Sequence, residues 1–159
     1  MAVRFCGASA ACCPAAARTI SKTWSSGFDP RSVEFVAEEA EALSLVGAGL
    51  TFTLACPSSV SISAPLNVSL LEDSNAPEVL ELSIVVENVL PPTIAVSSVV
   101  PLTLLPTGDV QTATPTEVYQ LGAGTYRAYV TGKPNAVPTL VFSVDVSGEI
   151  NILAVVKQL

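Results

Sequence analysis

Histidine is absent from all 159 residues. Its absence removes Ser-His-Asp and Cys-His activation of a nucleophile, together with the commonest transition-metal ligand. Charge is scarce too, at 13% of residues against a usual share of about 25%. No GxGxxG or GxxxxGKS/T loop occurs, so no phosphate-cradling turn is available; "LVGAGL" (Leu45 to Leu50) has glycines for a tight turn and nothing more. The cysteines run C-x5-C-C-x42-C, without the paired CxxC knuckles of a zinc site. Pro, Ser, Thr and Gly interrupt every apolar stretch, so the run of about 18 residues needed by a membrane helix is missing as well. These absences point away from an enzyme: neither cofactor nor metal is expected, and no catalytic residue stands out. Glu38/Glu39 and Glu72/Asp73 are the acid pairs available for acid–base work; Glu72-Asp73-Ser74-Asn75 reads more simply as a solvated loop, and one carboxylate pair is too few to specify calcium. Asn67-Val68-Ser69 fits the glycosylation sequon but falls within an expected strand, and it is set aside.

What is present is apolar and unevenly charged. Half of the residues are hydrophobic and the mean hydropathy is +0.56. With no membrane span to absorb it, that surplus calls for burial between subunits. Residues 1–31 hold four basic residues (Arg4, Arg18, Lys22, Arg31) against Asp29, a net +3. Residues 32–159 hold three basic residues against thirteen acids, a net −10. An anionic body repels phosphate, which argues against nucleic acid as a partner; a cationic lead suits an acidic surface such as that of an identical neighbour.

From Leu50 onward the hydrophobic period is two. "EVLELSIVVENVL" sets Leu80, Leu82, Ile84 and Val86 on one face and Glu81, Ser83, Val85 and Glu87 on the other. "LTFTL", "SVSIS", "LNVSLL", "TIAVSSVV", "LTLL", "EVYQL", "GTYRAYV", "TLVFSVDV" and "INILAVV" are further strand candidates. "GAG", "GKPN" and "SGE" are the expected turns. So many short strands predict an all-β antiparallel sandwich, jelly-roll or immunoglobulin-like, over 32–159. The prolines at 57, 65, 91, 92, 101 and 106 belong at strand starts, edges or crossing connections. Residues 32–46 are ambiguous: Val33, Val36, Ala40 and Leu43 recur at helical spacing, whereas Val33, Phe35 and Ala37 alternate as in a strand. A short helix is the expectation there.

"LGAGTYRAYV" (Leu121 to Val130) resembles the penultimate strand of immunoglobulin-like sandwich domains. The resemblance implies that Tyr126 forms a tyrosine corner, its hydroxyl bonded to upstream backbone. A half-buried strand aromatic explains Tyr126 equally. A small acidic sandwich with an N-terminal arm also resembles the capsid decoration (cement) proteins of tailed viruses. In type it is similar to subunits of extracellular appendages that carry a Cys-Cys connector. That likeness implies that Cys12-Cys13 reach Cys56 on a neighbour.

The lead segment "FCGASAACCPAAARTISKTW" lacks any acid and any hydrophobic period, so it cannot fold alone. Arg-bearing and rich in Ala and Ser, it is similar to an organelle transit sequence; the expectation here is a retained assembly arm over 1–31. Phe5, Ile20 and Trp24 would anchor it in pockets of a neighbour, and Arg4, Arg18 and Lys22 would meet acid there. Cys6, Cys12, Cys13 and Cys56 are candidates for intersubunit disulfides. The expected role is non-enzymatic: a capsid decoration protein on a virion surface, partnered by copies of itself (a trimer or larger) and a major capsid protein. A disulfide-linked extracellular filament and a carbohydrate-binding module using Tyr119, Tyr126 and Tyr129 are the alternatives.

Overall fold

The computed structural model describes residues 21–39, 41–71, 78–89, 92–97, 99–106 and 108–156. Twelve strands appear among them and no helix: β1 (Ser21–Phe35), β2 (Leu43–Ser44), β3 (Leu50–Leu54), β4 (Ser58–Ser63), β5 (Leu66–Leu70), β6 (Glu78–Asn88), β7 (Thr93–Val96), β8 (Val100–Leu104), β9 (Gln111–Ala113), β10 (Thr116–Leu121), β11 (Gly124–Pro134) and β12 (Phe142–Val156). Several are fragments of one line. β4 and β5 keep a single register against β12, with Ser63 opposite Asn151 and Leu66 opposite Gly148. β10 and β9 keep a single register along the other side of that line. β2 with β3 flank β11, and β7 with β8 flank β6.

Merged in this way, the chain forms eight strand lines. The first sheet runs in the order first, eighth, third, sixth; the second runs second, seventh, fourth, fifth. Every pairing is antiparallel and successive lines mostly change sheet. This double Greek-key order is a jelly roll, which decides between the two sandwich topologies that periodicity left open.

Alternation builds the core. Val60, Ile62, Leu66 and Val68 of the third line face Leu80, Leu82 and Ile84 of the fourth, all at most 1% exposed. Phe35 and Phe142, opposite one another in register, stack with ring centroids 4.9 Å apart. On area alone each such side chain contributes about 1.5–3 kcal/mol when fully buried.

The structure corrects four expectations. The helix over 32–46 is not there: Ser32–Phe35 finish β1, and Val33 and Phe35 are buried opposite Val144 and Phe142. Strand pairing along β12 outweighs a helical spacing that would have buried little. The boundary at residue 31 falls inside β1, because Ser21–Phe28 already pair with β12. "SGE" is no turn; β12 runs straight through Ser147-Gly148-Glu149. Gly148 takes φ +153°, and a Cβ there would lie 2.2 Å from the Pro65 carbonyl oxygen. Only glycine permits that approach. Pro65 accordingly sits in the middle of a sheet, between β4 and β5, while its carbonyl still accepts from Glu149 N at 3.2 Å. Pro101, by contrast, lies in β8 at an edge, as a missing donor requires.

Candidate functional site

Surfaces, not a cleft, distinguish this molecule. On the outer face of the first sheet three rows run across the strands: Ser21–Val155–Ser59–Gln120, Thr23–Leu153–Ser61–Val118 and Ser25–Asn151–Ser63–Thr116. No charged residue occurs in them. Gln120 donates to Ser59 Oγ at 3.1 Å, and a shallow trough of about 420 Å³ runs along Thr23, Ser25, Ser61, Ser63 and Asn151.

The outer face of the second sheet carries a polar cluster. Arg127 Nη2 donates to Glu87 Oε2 at 2.5 Å and Tyr129 donates to Glu87 Oε1 at 2.7 Å, with the guanidinium 5.2 Å from the Tyr129 ring centre. Above all the Tyr129 hydrogen bond, and then Arg127, hold the Glu87 carboxyl below its ordinary range. Burial and the Glu87 carboxylate push Tyr129 up. A cleft of about 330 Å³ beside it is lined by Thr51, Asn88, Val89 and Ile94. The cluster is self-satisfied: each polar group already has its partner, so it offers no poised acid, base or nucleophile. A smaller cleft of about 220 Å³ holds Ser32, which donates to Asp145 Oδ1 at 2.6 Å. Among the described residues no group of three His, Cys, Asp or Glu is placed to hold a metal ion, and no helix is long and apolar enough to cross a membrane.

The two ends of the sandwich differ more than its faces. One end carries the connections 55–57, 89–92 and 122–123, and none of these residues is charged. Residue 21 lies at this end, since Ser21 pairs with Val155 and Ser58 with Val156. The opposite end carries the connections 36–42, 71–77, 105–110 and 135–141. Their sequences hold six acids (Glu38, Glu39, Glu41, Glu72, Asp73, Asp109) and no base. Among the described residues, half of the exposed large hydrophobics are here as well: Val36, Leu105, Val110, Val137, Leu140 and Val141, with Leu140 at 70% exposure. Two of the loops are joined, because Glu38 N donates to the carbonyl of buried Pro138 at 2.8 Å. Glu38 itself takes φ +66°, a conformation disfavoured for a side-chain-bearing residue and held by that bond.

Of the residues singled out in the sequence, Arg4, Phe5, Cys6, Cys12, Cys13, Arg18 and Ile20 lie outside the described residues. The Trp24 ring meets Phe52 of the same chain at 5.5 Å, joining the two sheets, and Lys22 lies 5.0 Å over that ring. Cys56, 8% exposed, is disulfide-bonded. Tyr126 donates to the Gly122 carbonyl at 2.9 Å and stacks on Phe52 at 5.6 Å, so a backbone bond and core packing coexist at one side chain. Tyr119, singled out as a ligand-face candidate, has a hydroxyl that crosses from the first sheet to donate to the Ile84 carbonyl at 3.1 Å. Burial, with the Glu117 charge second, pushes its pKa up to about 12. Sequence reasoning missed the acid-rich loop end: its residues are scattered over four connections that only the fold brings together.

No protein-family model and no curated protein matches the sequence. Among solved structures the chain is similar to VP2 of infectious bursal disease virus in a subviral particle, at 11% identity and a TM-score of 0.57, over 87% of this chain and 33% of that one. It thus spans about a third of the VP2 chain's length. The globular domain of zebrafish complement 1qA also matches, at 11% identity and a TM-score of 0.33, over 75% of this chain and 94% of that one. The first likeness establishes a shared β-sandwich fold.

Proposed function

We propose that this protein is a non-enzymatic structural component of a viral particle, a decoration or cement subunit that holds to a shell through contacts with copies of itself and with a major capsid protein. The observation that carries the reading is the loop end: exposed apolar side chains and unrelieved acid, gathered on one end of a jelly roll whose sheets offer no reactive constellation. A surface of that kind is covered in use. The fold shared with a virus VP2 supports the placement on a virion. No specific observation favours the carbohydrate-binding alternative: the Tyr129 hydroxyl is engaged by Glu87.

Sedimentation velocity of the full chain at rising concentration tests this. The expected result is a discrete oligomer, a trimer or larger, that salt weakens. Particles that carry the chain should release it as such an oligomer on mild heating. A monodisperse monomer at millimolar concentration, absent from particles, would overturn the proposal.

A further inference from the structure

The charge-free end and the acidic end are complementary in a directional way, and the lead segment supplies the missing sign. Residues 1–20 contain Arg4 and Arg18, no acid, and the apolar Val3, Phe5 and Ile20. They enter the fold at Ser21, on the charge-free end. The loop end presents the opposite chemistry, with Glu38, Glu39 and Glu41 beside Val36, Val137 and Leu140. Two such ends meeting face to face would bring six acids against six, which like-charge repulsion opposes. A basic, sparsely apolar segment matches both features at once.

Length decides whose segment it is. β1 has 15 residues, so it separates the two ends by roughly 50 Å at about 3.3 Å per residue. The segment joins the fold at the end far from the acid, whereas a second copy stacked end to end brings its acidic end beside that entry point, so the partner is a second copy.

From this we infer that the acid-and-apolar loop end formed by residues 36–42 and 135–141 is the docking site for the lead segment of another copy, in a head-to-tail contact. It rests on the assembly reading above and specifies which surfaces meet. Because donor and acceptor lie on different ends, the contact closes into a ring, propagates, or is made twice between two antiparallel copies.

Complementation in the full-length chain tests the inference. A donor-dead variant carries Arg4→Glu and Arg18→Glu; an acceptor-dead variant carries Glu38→Lys, Glu39→Lys and Glu41→Lys, all on exposed positions of the loop. Each alone should assemble at least about ten-fold more weakly than wild type, with an unchanged circular-dichroism melt. Mixed, they should assemble again, because the intact pair of surfaces and the reversed pair are each complementary in charge, and a chain carrying all five reversals should regain assembly for the same reason. Leu140→Ser should weaken assembly without charge change. If wild type assembles and both variants match it, the docking site is wrong while the assembly reading stands. If both variants are weakened but neither mixing nor the five-fold reversal restores contact, the segment docks elsewhere. Binding of the chain to neutral phosphatidylcholine vesicles, lost with Leu140→Ser while assembly persists, would make lipid the occupant and overturn the inference. A wild-type chain that stays monomeric removes both readings together.

Discussion

The two ends of this sandwich are closed by the same strands and yet carry opposite chemistry. At one end the connections 55–57, 89–92 and 122–123 hold no charge; at the other, four connections hold six acids and six exposed aliphatic side chains. The strands between them are ordinary for a two-layer fold, polar outward and aliphatic inward. The difference teaches that the architecture sets only distance and direction. What the molecule can meet is written in the connections, which bear little of the folding load and are free to vary. A jelly roll delivers this separation directly, because successive strands run up and down and every second connection lands at the same end.

The comparison can be broken most severely at its middle. Gly148→Val should prevent β12 from passing the Pro65 carbonyl, and a destabilisation of about 4 kcal/mol is expected, read as a lowered denaturant midpoint. Both ends would loosen together, since β12 spans them. A native-like midpoint would show that the backbone shifts at little cost. Ile62→Ala, in the shared core, should remove about 3 kcal/mol through lost burial and a residual cavity, with protection of slow-exchanging amides falling at both ends alike. Unequal loss would mean that the ends unfold independently.

A smaller effect sharpens the contrast by acting near the charge-free end alone. Tyr119 links the two sheets through its bond to Ile84, and Tyr119→Phe should cost about 1 kcal/mol. Its phenol titrates near 12 in the fold against an ordinary 10. The fold therefore favours the protonated form: that contribution is complete below pH 10 and is lost as the pH rises through about 12. Across this range the unfolding midpoint should fall with pH more for wild type than for the variant. Smallest of all, Leu140→Ser at the acidic end should move stability by less than about 0.5 kcal/mol, because the side chain is mostly in water already. A large loss of stability there would show that the loop end is structural and not a surface kept for contact.

Much of the fold was legible beforehand, for a particular reason. The alternation in Leu80–Val86 depends only on each residue's preference for core or water, and that preference survives any choice of partner strand. Where a signal rested on weak local spacing, as in 32–46, pairing of Val33 and Phe35 along β12 overrode it. The candidate site was harder to see. The contact of Trp24 with its own chain was not legible, because nothing in its flanking residues reveals Phe52, twenty-eight positions on. Gly148 looked like a turn because sequence alone does not report that a proline carbonyl will pass beside it.

By itself, the order of residues determined that this is a two-layer β-protein with an acidic body, a basic lead and no histidine-based chemistry. Composition and period-two alternation act locally and need no knowledge of partners. Only the tertiary structure decided that the layers form a jelly roll, that Trp24 closes the chain's own core, and that four separated loops make one acidic, apolar end. Those outcomes depend on which strands meet and in what register, and pairing between distant segments is a property of the folded whole.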